Sequence, residues 1–287
     1  MSEFSSSKAS NITHNTPEQS QAQTQSHAEV DAPGSPVPEP DTGSDFDSGL
    51  DDESASERSA SVTSSIYNYQ YENGRRYHAY RAGEYPLPND ETEQDRLDLI
   101  HHIYRLLVNG RIFVSPIGKN PRRALDFATG TGIWAIDFAD EFSECEVIGT
   151  DLSAIQPTWV PPNCRFYIDD VEADWAYAEN RKFDFIHGRG MGGSIKDWDR
   201  LYRQCFEHLN PGGWLEMQEY EAWIDADENT LTRTEYVMKW QKLCNEAAEV
   251  FGKEINLAPK QKGWLEQAGF VNVRDDCHKV RPFFILC

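Results

Sequence analysis

The stretch LDFATGTGIWAIDFA, Leu125 to Ala139, ends an apolar run on a carboxylate and places two close glycines before apolar residues at helical spacing. A short run of this kind is a strand buried on both faces, and glycines at its exit let the chain turn tightly into a helix. That unit belongs to a sheet of parallel strands, and the residues after Pro121 repeat it. ALDFAT, EVIGTD, CRFYIDD and FDFIHGR read as strands, with GIWAIDFADEF as the first helix between them. KDWDRLYRQCFEHL is an amphipathic helix stopped by NPGG, and WLEMQEY is a fifth strand. A helical region from Thr232 to Gly269 then leads to FVNVRDD, the expected sixth strand. The expected fold class is α/β: a mainly parallel, doubly wound, Rossmann-like sheet with helices on both faces.

Two further zones precede this domain. Residues 1–65 are rich in Ser, Thr, Gln, Pro and acidic residues and poor in large apolar ones, so they read as a disordered acidic tail. Ser35, followed by Pro36, is a candidate phosphorylation site in it, set against the plainer reading of a solvating tail. Residues 66–118 turn aromatic and then helical. Leu97, Ile100, Ile103, Tyr104, Leu107 and Val108 share a helical face, with Asp90 and Glu93 as start signals and Gly110 as a stop. This segment is expected to be a lid, and residues 119–287 the ligand-binding domain.

Acidic residues outnumber basic ones 48 to 27, for a formal net charge of -21, a field that repels nucleic acid and anionic lipid. Direct nucleic-acid binding is therefore not expected. The six cysteines form neither a CxxC pair nor a zinc-like cluster, and the start MSEFSSSKAS has no apolar signal core, so an intracellular location without a structural metal is expected. No apolar run approaches the about twenty residues that cross a bilayer, and no membrane insertion is expected. G-x-S-x-G, HExxH and Walker loops are absent from the sequence, which removes the common hydrolase and NTPase readings.

Ligands of doubly wound sheets sit beyond the carboxyl ends of the strands, so the glycine elbow is the expected site. Gly130 and Gly132 let the backbone approach a ligand, and the helix from Ile133 offers free N–H groups. Read as G-x-G-x-x-A, GTGIWA also fits a nicotinamide fingerprint, with Asp151 placed for a ribose contact. Asp126 discriminates between the two: it would repel a pyrophosphate but attract the cationic amino-acid portion of S-adenosylmethionine. An Asp that caps the turn is the alternative role. Asp151 can accept both ribose hydroxyls or act as an N-cap, and Asp170 with the Val171 amide can meet an adenine edge.

LDFATGTG, VIGTDLS, FYIDDVE and LNPGGWLEMQE together resemble the ordered motifs of class I S-adenosylmethionine-dependent methyltransferases. YHAYRAGEYPLPNDETEQDRLDLIHH and WVPPNCRFYIDDVE resemble more narrowly the fungal LaeA-like methyltransferases, whose members associate with velvet-family regulators and control secondary metabolism. The similarity covers roughly residues 67–280 and implies S-adenosyl-L-methionine as cofactor. It implies Asp126, Ala128, Gly130 and Gly132 in the cofactor loop, Asp151 on the ribose with Leu152 beside it, and Asp170 with Val171 on the adenine. Ala128 stands where that family commonly has glycine. Relatives continue past the sixth strand through a helix to a seventh strand, whereas this chain ends in HKVRPFFILC, so the last strand is expected to be missing and the sixth to have an open edge.

The acceptor chemistry is thinner, because methyl transfer needs mainly alignment and a base when the nucleophile carries a proton. His187, closing FDFIH, is the candidate catalytic base, against the alternative of a packing histidine. Arg189 could steer an anionic acceptor or pair with nearby carboxylates. Tyr77, Tyr80, Arg81 and Tyr85 could fold over the cofactor or merely pack the N-terminal helix onto the sheet, and Trp134 is a candidate supporting residue. The expected activity is methyl transfer to an undetermined small molecule or protein linked to fungal secondary metabolism. The rival is a regulatory protein that keeps the fold and acts through partners, velvet-family proteins among them.

Overall fold

The computed structural model describes residues 68–221, 223, 235–278 and 280. The expected tail over 1–65, with Ser35, lies outside them, as does nearly all of HKVRPFFILC. Hairpin β1 (Gln70–Glu72) and β2 (Arg75–Tyr77) opens the described part, and α1 (Glu91–Leu107) follows. Then come β3 (Arg123–Phe127), α2 (Ile133–Glu141), β4 (Glu146–Asp151), β5 (Cys164–Ile168), β6 (Phe183–Arg189), α3 (Trp198–His208), β7 (Leu209–Gln218), α4 (Glu235–Val250) and α5 (Ala258–Gln267).

β3 to β7 form one sheet in the order β5–β4–β3–β6–β7, with every neighbouring pair parallel. All five carboxyl ends therefore face the same way, and the glycine elbow leaves the central strand at that edge. Side chains alternate between two buried layers. On one face α2 packs Trp134 and Phe138 against Phe185 and Val147. On the other, Leu125, Phe127 and Ile186 meet Leu201 and Tyr202 of α3 and Leu257, with Trp264 of α5 packed alongside. Burying one such large apolar side chain stabilises the fold by about 1.5–3 kcal/mol.

One register row crosses the sheet from Phe166 through Gly149, Asp126 and His187 to Glu216, all projecting toward the α2 face. Three of these five are ionisable and buried. Burial at that cost is tolerated only where each finds partners. Glu216 finds them in the incoming chain, accepting from the amides of Val114 (2.9 Å) and Ser115 (2.7 Å), so the segment between α1 and β3 is fastened across β7.

Two expectations are corrected, and the helical region that follows the fifth strand is resolved more finely. FVNVRDD adds no strand: residues 270–278 carry no regular structure, and β7 is the last strand among the described residues. Asn272 has φ +59, a left-handed kink inside the apolar run that breaks the alternation a strand requires. The helical region from 232 to 269 is two helices, separated where Gly252 turns at φ +69 and Pro259 starts the next one. The inward face of α1 runs through His101, which is buried, whereas Ile103 faces out. Asp90 does cap α1, accepting from the Glu93 amide at 3.1 Å, and Arg75 grips the same carboxylate and holds it well below the usual range. Among the described residues no helix is long and apolar enough to cross a membrane.

Candidate active site

The elbow between β3 and α2 is built from three residues in the left-handed region: Ala128 (φ +51), Gly130 (φ +60) and Gly132 (φ +81). Gly132 is required twice over, since a Cβ there would also lie 2.4 Å from the Phe166 ring. No side chain caps α2 at this residue, so the first amides of the helix point toward the strand ends with no side-chain partner at the cap. Thr129 ties the turn to β4 by donating its amide to the Thr150 carbonyl at 2.8 Å.

The predicted carboxylates converge on this turn. Asp126 is buried; His187 Nδ1 lies 2.7 Å from one of its oxygens, and Thr129 Oγ1 donates to the other. Asp126 thus meets a side-chain hydroxyl and an imidazole, rather than the backbone amides that the turn-capping alternative calls for. Asp151, at the end of β4, accepts from the Gly130 amide at 2.9 Å through one oxygen and from the Ser153 amide at 2.8 Å through the other. Burial pushes its carboxyl up to about 6, against the pull of those amides. The Leu152 amide also favours the ionised carboxylate. Leu152 follows it in the same turn. Asp170, beyond β5, accepts from the Glu172 amide at 2.9 Å and meets Arg81 Nε at 3.3 Å; Val171 beside it packs into the α3-side core.

Arg81 belongs to the aromatic arm between β2 and α1, which lies along the Asp151 turn. Tyr69 Oη donates to the Ala154 carbonyl at 3.0 Å, and Asn89 donates to Ser153 Oγ at 3.3 Å. Tyr85 is raised far above its ordinary pKa, first by burial and then by the charge of Asp151. α1 continues the cover: Thr131 Oγ1 donates to Asp98 at 2.7 Å, and a Cβ on Gly130 would stand 3.4 Å from Leu97 Cδ1.

The remaining predicted residues divide. His187 is fully buried; its ring lies flat on Trp134, centroids 3.8 Å apart at 4°, and its Nε2 has no partner. It touches Asp126 and no open surface, which withdraws it from direct contact with an acceptor. Trp134 is accordingly the floor beneath that histidine, with its Nε1 donating to the Ile112 carbonyl at 2.8 Å. Arg189 meets a histidine and a phenol ring rather than a carboxylate. Its Nη2 donates to His101 Nδ1 at 3.1 Å, while His101 Nε2 reaches Asp137 at 3.1 Å, and its guanidinium lies 5.2 Å above the Tyr104 ring.

One group escaped the sequence reading. Glu219, one residue past β7, accepts the Met191 amide at 2.7 Å through Oε1, while its Oε2 is buried without a partner. Burial pushes its carboxyl up to about 7. The signal was present: WLEMQEY alternates, so Glu219 shares a face with Leu215 and Met217, and a carboxylate at the carboxyl end of an apolar face is the same mark that singled out Asp126.

A parallel sheet in this order, with its ligand edge at a glycine elbow flanked by strand-end carboxylates, defines the Rossmann-like class I methyltransferase fold. A methyltransferase-domain family model matches residues 99–274. Methyltransferase pytC of Aspergillus terreus is 46% identical over 211 residues, 73% of this chain and 64% of that protein. Secondary metabolism regulator LAE1 of Cochliobolus heterostrophus is 37% identical over 218 residues, 74% of this chain and 70% of its own. Secondary metabolism regulator laeA of Aspergillus flavus is 40% identical over 205 residues, 70% of this chain and 55% of its own. The chain belongs to the methyltransferase-domain family and, within it, to the LaeA-like group; it spans 64% of the length of pytC.

Proposed function

We propose that this chain is an S-adenosylmethionine-dependent methyltransferase of fungal secondary metabolism or its regulation. The observation that carries the reading is the pairing of Gly130 and Asp151: the elbow's amide and the ribose-placed carboxylate are held at 2.9 Å where β4 ends beside the turn. The residues fit the cofactor, because Gly130 and Gly132 leave the cradle without side chains and the helix amides face it.

Bound there, S-adenosylmethionine supplies an electrophilic methyl group. The chain's residues then hold and orient. Asp151 and Leu152 serve the ribose side, and Asp170 with the Val171 amide serves the adenine. Asp126 provides the negative charge for the amino-acid portion, with His187 and Thr129 fixing its rotamer. Residues 66–118 form the lid and 119–287 the domain beneath it. His187 thus becomes a positioning residue that acts through Asp126.

A second reading, a regulator acting through partners such as velvet-family proteins without turnover, is favoured by Ala128 in a left-handed position where the family commonly has glycine, and by the regulatory names of the relatives LAE1 and laeA. Calorimetric titration with S-adenosylmethionine, S-adenosylhomocysteine and NAD tests both. Micromolar binding of the first two, about 8 kcal/mol, supports the methyl-donor pocket. Binding of NAD alone overturns it, and a folded chain that binds none of the three supports the regulator.

A further inference from the structure

Glu219 stands apart from every cofactor contact assigned above, at the carboxyl ends of the two strands on the far side of the elbow, β6 and β7. Its Oε1 is taken by the Met191 amide, while Oε2 is buried and unpartnered. Two phenols that feel its charge are unpartnered as well: Tyr104 Oη on α1 and Tyr202 Oη on α3. Tyr220, the third phenol under its influence, is half exposed and marks the way to solvent. Arg189 lies over Tyr104 and closes the β6 side. Three orphaned polar oxygens, two of them on phenols that feel the Glu219 charge, are costly for a fold to keep and mark groups whose hydrogen bonds a polar ligand completes.

We propose that these groups form the methyl-acceptor site, that Glu219 is its general base, and that the acceptor carries a hydroxyl. The proposal rests on the methyltransferase reading. In the transfer the acceptor oxygen bonds to the methyl carbon, the departing sulfur keeps the electron pair of the broken carbon–sulfur bond, and the O–H proton passes to Glu219 Oε2. A neutral amine attacks through its lone pair and loses its proton afterwards, so a buried carboxylate with a free oxygen is the feature a hydroxyl acceptor requires. Tyr104 and Tyr202 then hydrogen-bond the acceptor's other oxygens. The groups that act on Glu219 are the amides of Met191 and Gly192, and its charge in turn raises the phenols Tyr104, Tyr202 and Tyr220.

The test compares the full chain with E219Q and E219D by three measurements. The first is S-adenosylhomocysteine affinity, the second the carboxyl stretch in infrared difference spectra from pH 5 to 9, and the third methyl transfer to matched phenol, primary alcohol and amine probes. The expected result is a protonated-carboxyl band that titrates near pH 7 in the wild type and is missing in E219Q. E219Q should keep its S-adenosylhomocysteine affinity within about twofold and lose about 10²–10⁴-fold in transfer to phenol, with E219D partly restoring the rate. A band absent from the wild type, transfer to the amine alone, or full activity of E219Q overturns the assignment. A wild-type chain that does not bind S-adenosylhomocysteine overturns the methyltransferase reading instead, and this inference with it.

Discussion

His187 Nδ1 sits 2.7 Å from Asp126 Oδ1 on the neighbouring strand, with both side chains almost fully buried. Their strand positions are direct partners in the parallel register, so the pair is set by the fold and not by side-chain flexibility. Replacing His187 by Phe fills the volume against Trp134 but leaves a buried carboxylate with only the Thr129 hydroxyl. Destabilisation of about 3 kcal/mol is expected in chemical denaturation, because breaking a buried pair strands the remaining charge. His187→Gln, which still offers a donor, should cost less than the Phe variant. If instead Phe is as stable as wild type, the pair contributes nothing to Asp126's placement.

If Asp151 takes the ribose as proposed, cofactor affinity should depend on pH. The ribose hydroxyls donate, so they prefer the ionised carboxylate, and burial raises its pKa to about 6 from the ordinary 3.8. Affinity for S-adenosylmethionine should therefore be flat above pH 7 and about tenfold weaker at pH 5, one unit below the titration point. Fold stability runs the other way. An acid raised in the folded state costs stability when ionised, and that cost is relieved as pH falls from about 6 toward 3.8. Asp151→Ala should lose about 1–3 kcal/mol of binding at pH 8 and abolish the pH dependence of affinity. Titration calorimetry at pH 5 and pH 8 reads both, and an unchanged Kd in Asp151→Ala removes the ribose assignment.

Two elbow substitutions should move in opposite directions. Ala128 at φ +51 bears a Cβ in the left-handed region, which costs a non-glycine residue about 1 kcal/mol. Ala128→Gly relieves that strain against some added freedom of the unfolded chain, so a melting temperature equal to or above wild type is expected. Gly132→Ala adds a methyl 2.4 Å from Phe166 Cζ at φ +81, and a loss of about 2 kcal/mol or more is expected. Stability of Gly132→Ala equal to that of Ala128→Gly would contradict the close packing of Phe166 on the elbow.

Apolar runs punctuated by glycine reported buried strands well, and so β3 to β7 and the elbow were legible. What the sequence hid depends on partners remote in the chain. His187 read as a candidate base, because a histidine at a strand end looks the same whether it faces solvent or, as here, a tryptophan from the following register of α2. Arg81 could not be paired with Asp170 from spacing alone, since 89 positions of chain separate them. The β1–β2 hairpin, by contrast, was readable from the Asn73-Gly74 turn, whose φ values of +50 and +76 suit those two residue types, but the aromatic composition of the arm masked it. FVNVRDD failed for the opposite reason: its composition favours a strand, yet no described neighbour offers it a ladder.

The Arg81–Asp170 contact gives the last prediction. Arg81 Nε lies 3.3 Å from Asp170 Oδ2, with the arginine side chain 52% exposed. An ion pair this open contributes little to stability, so Arg81→Ala should leave the melting temperature nearly unchanged, with a free-energy difference within about 0.5 kcal/mol. Its effect on binding is different in kind. Asp170 Oδ1 accepts from the Glu172 amide and Oδ2 lies against Arg81, so an adenine amino group that uses Oδ2 meets the guanidinium there. A ligand must share or displace the guanidinium, and removing it spares that step. Arg81→Ala is therefore expected to bind S-adenosylmethionine a few-fold more tightly and to lose part of the salt dependence of its affinity, since the competing contact is screened by salt. Weaker binding of the variant would mean that the arginine forms part of the adenine site, and that the arm closes with the ligand and not in place of it.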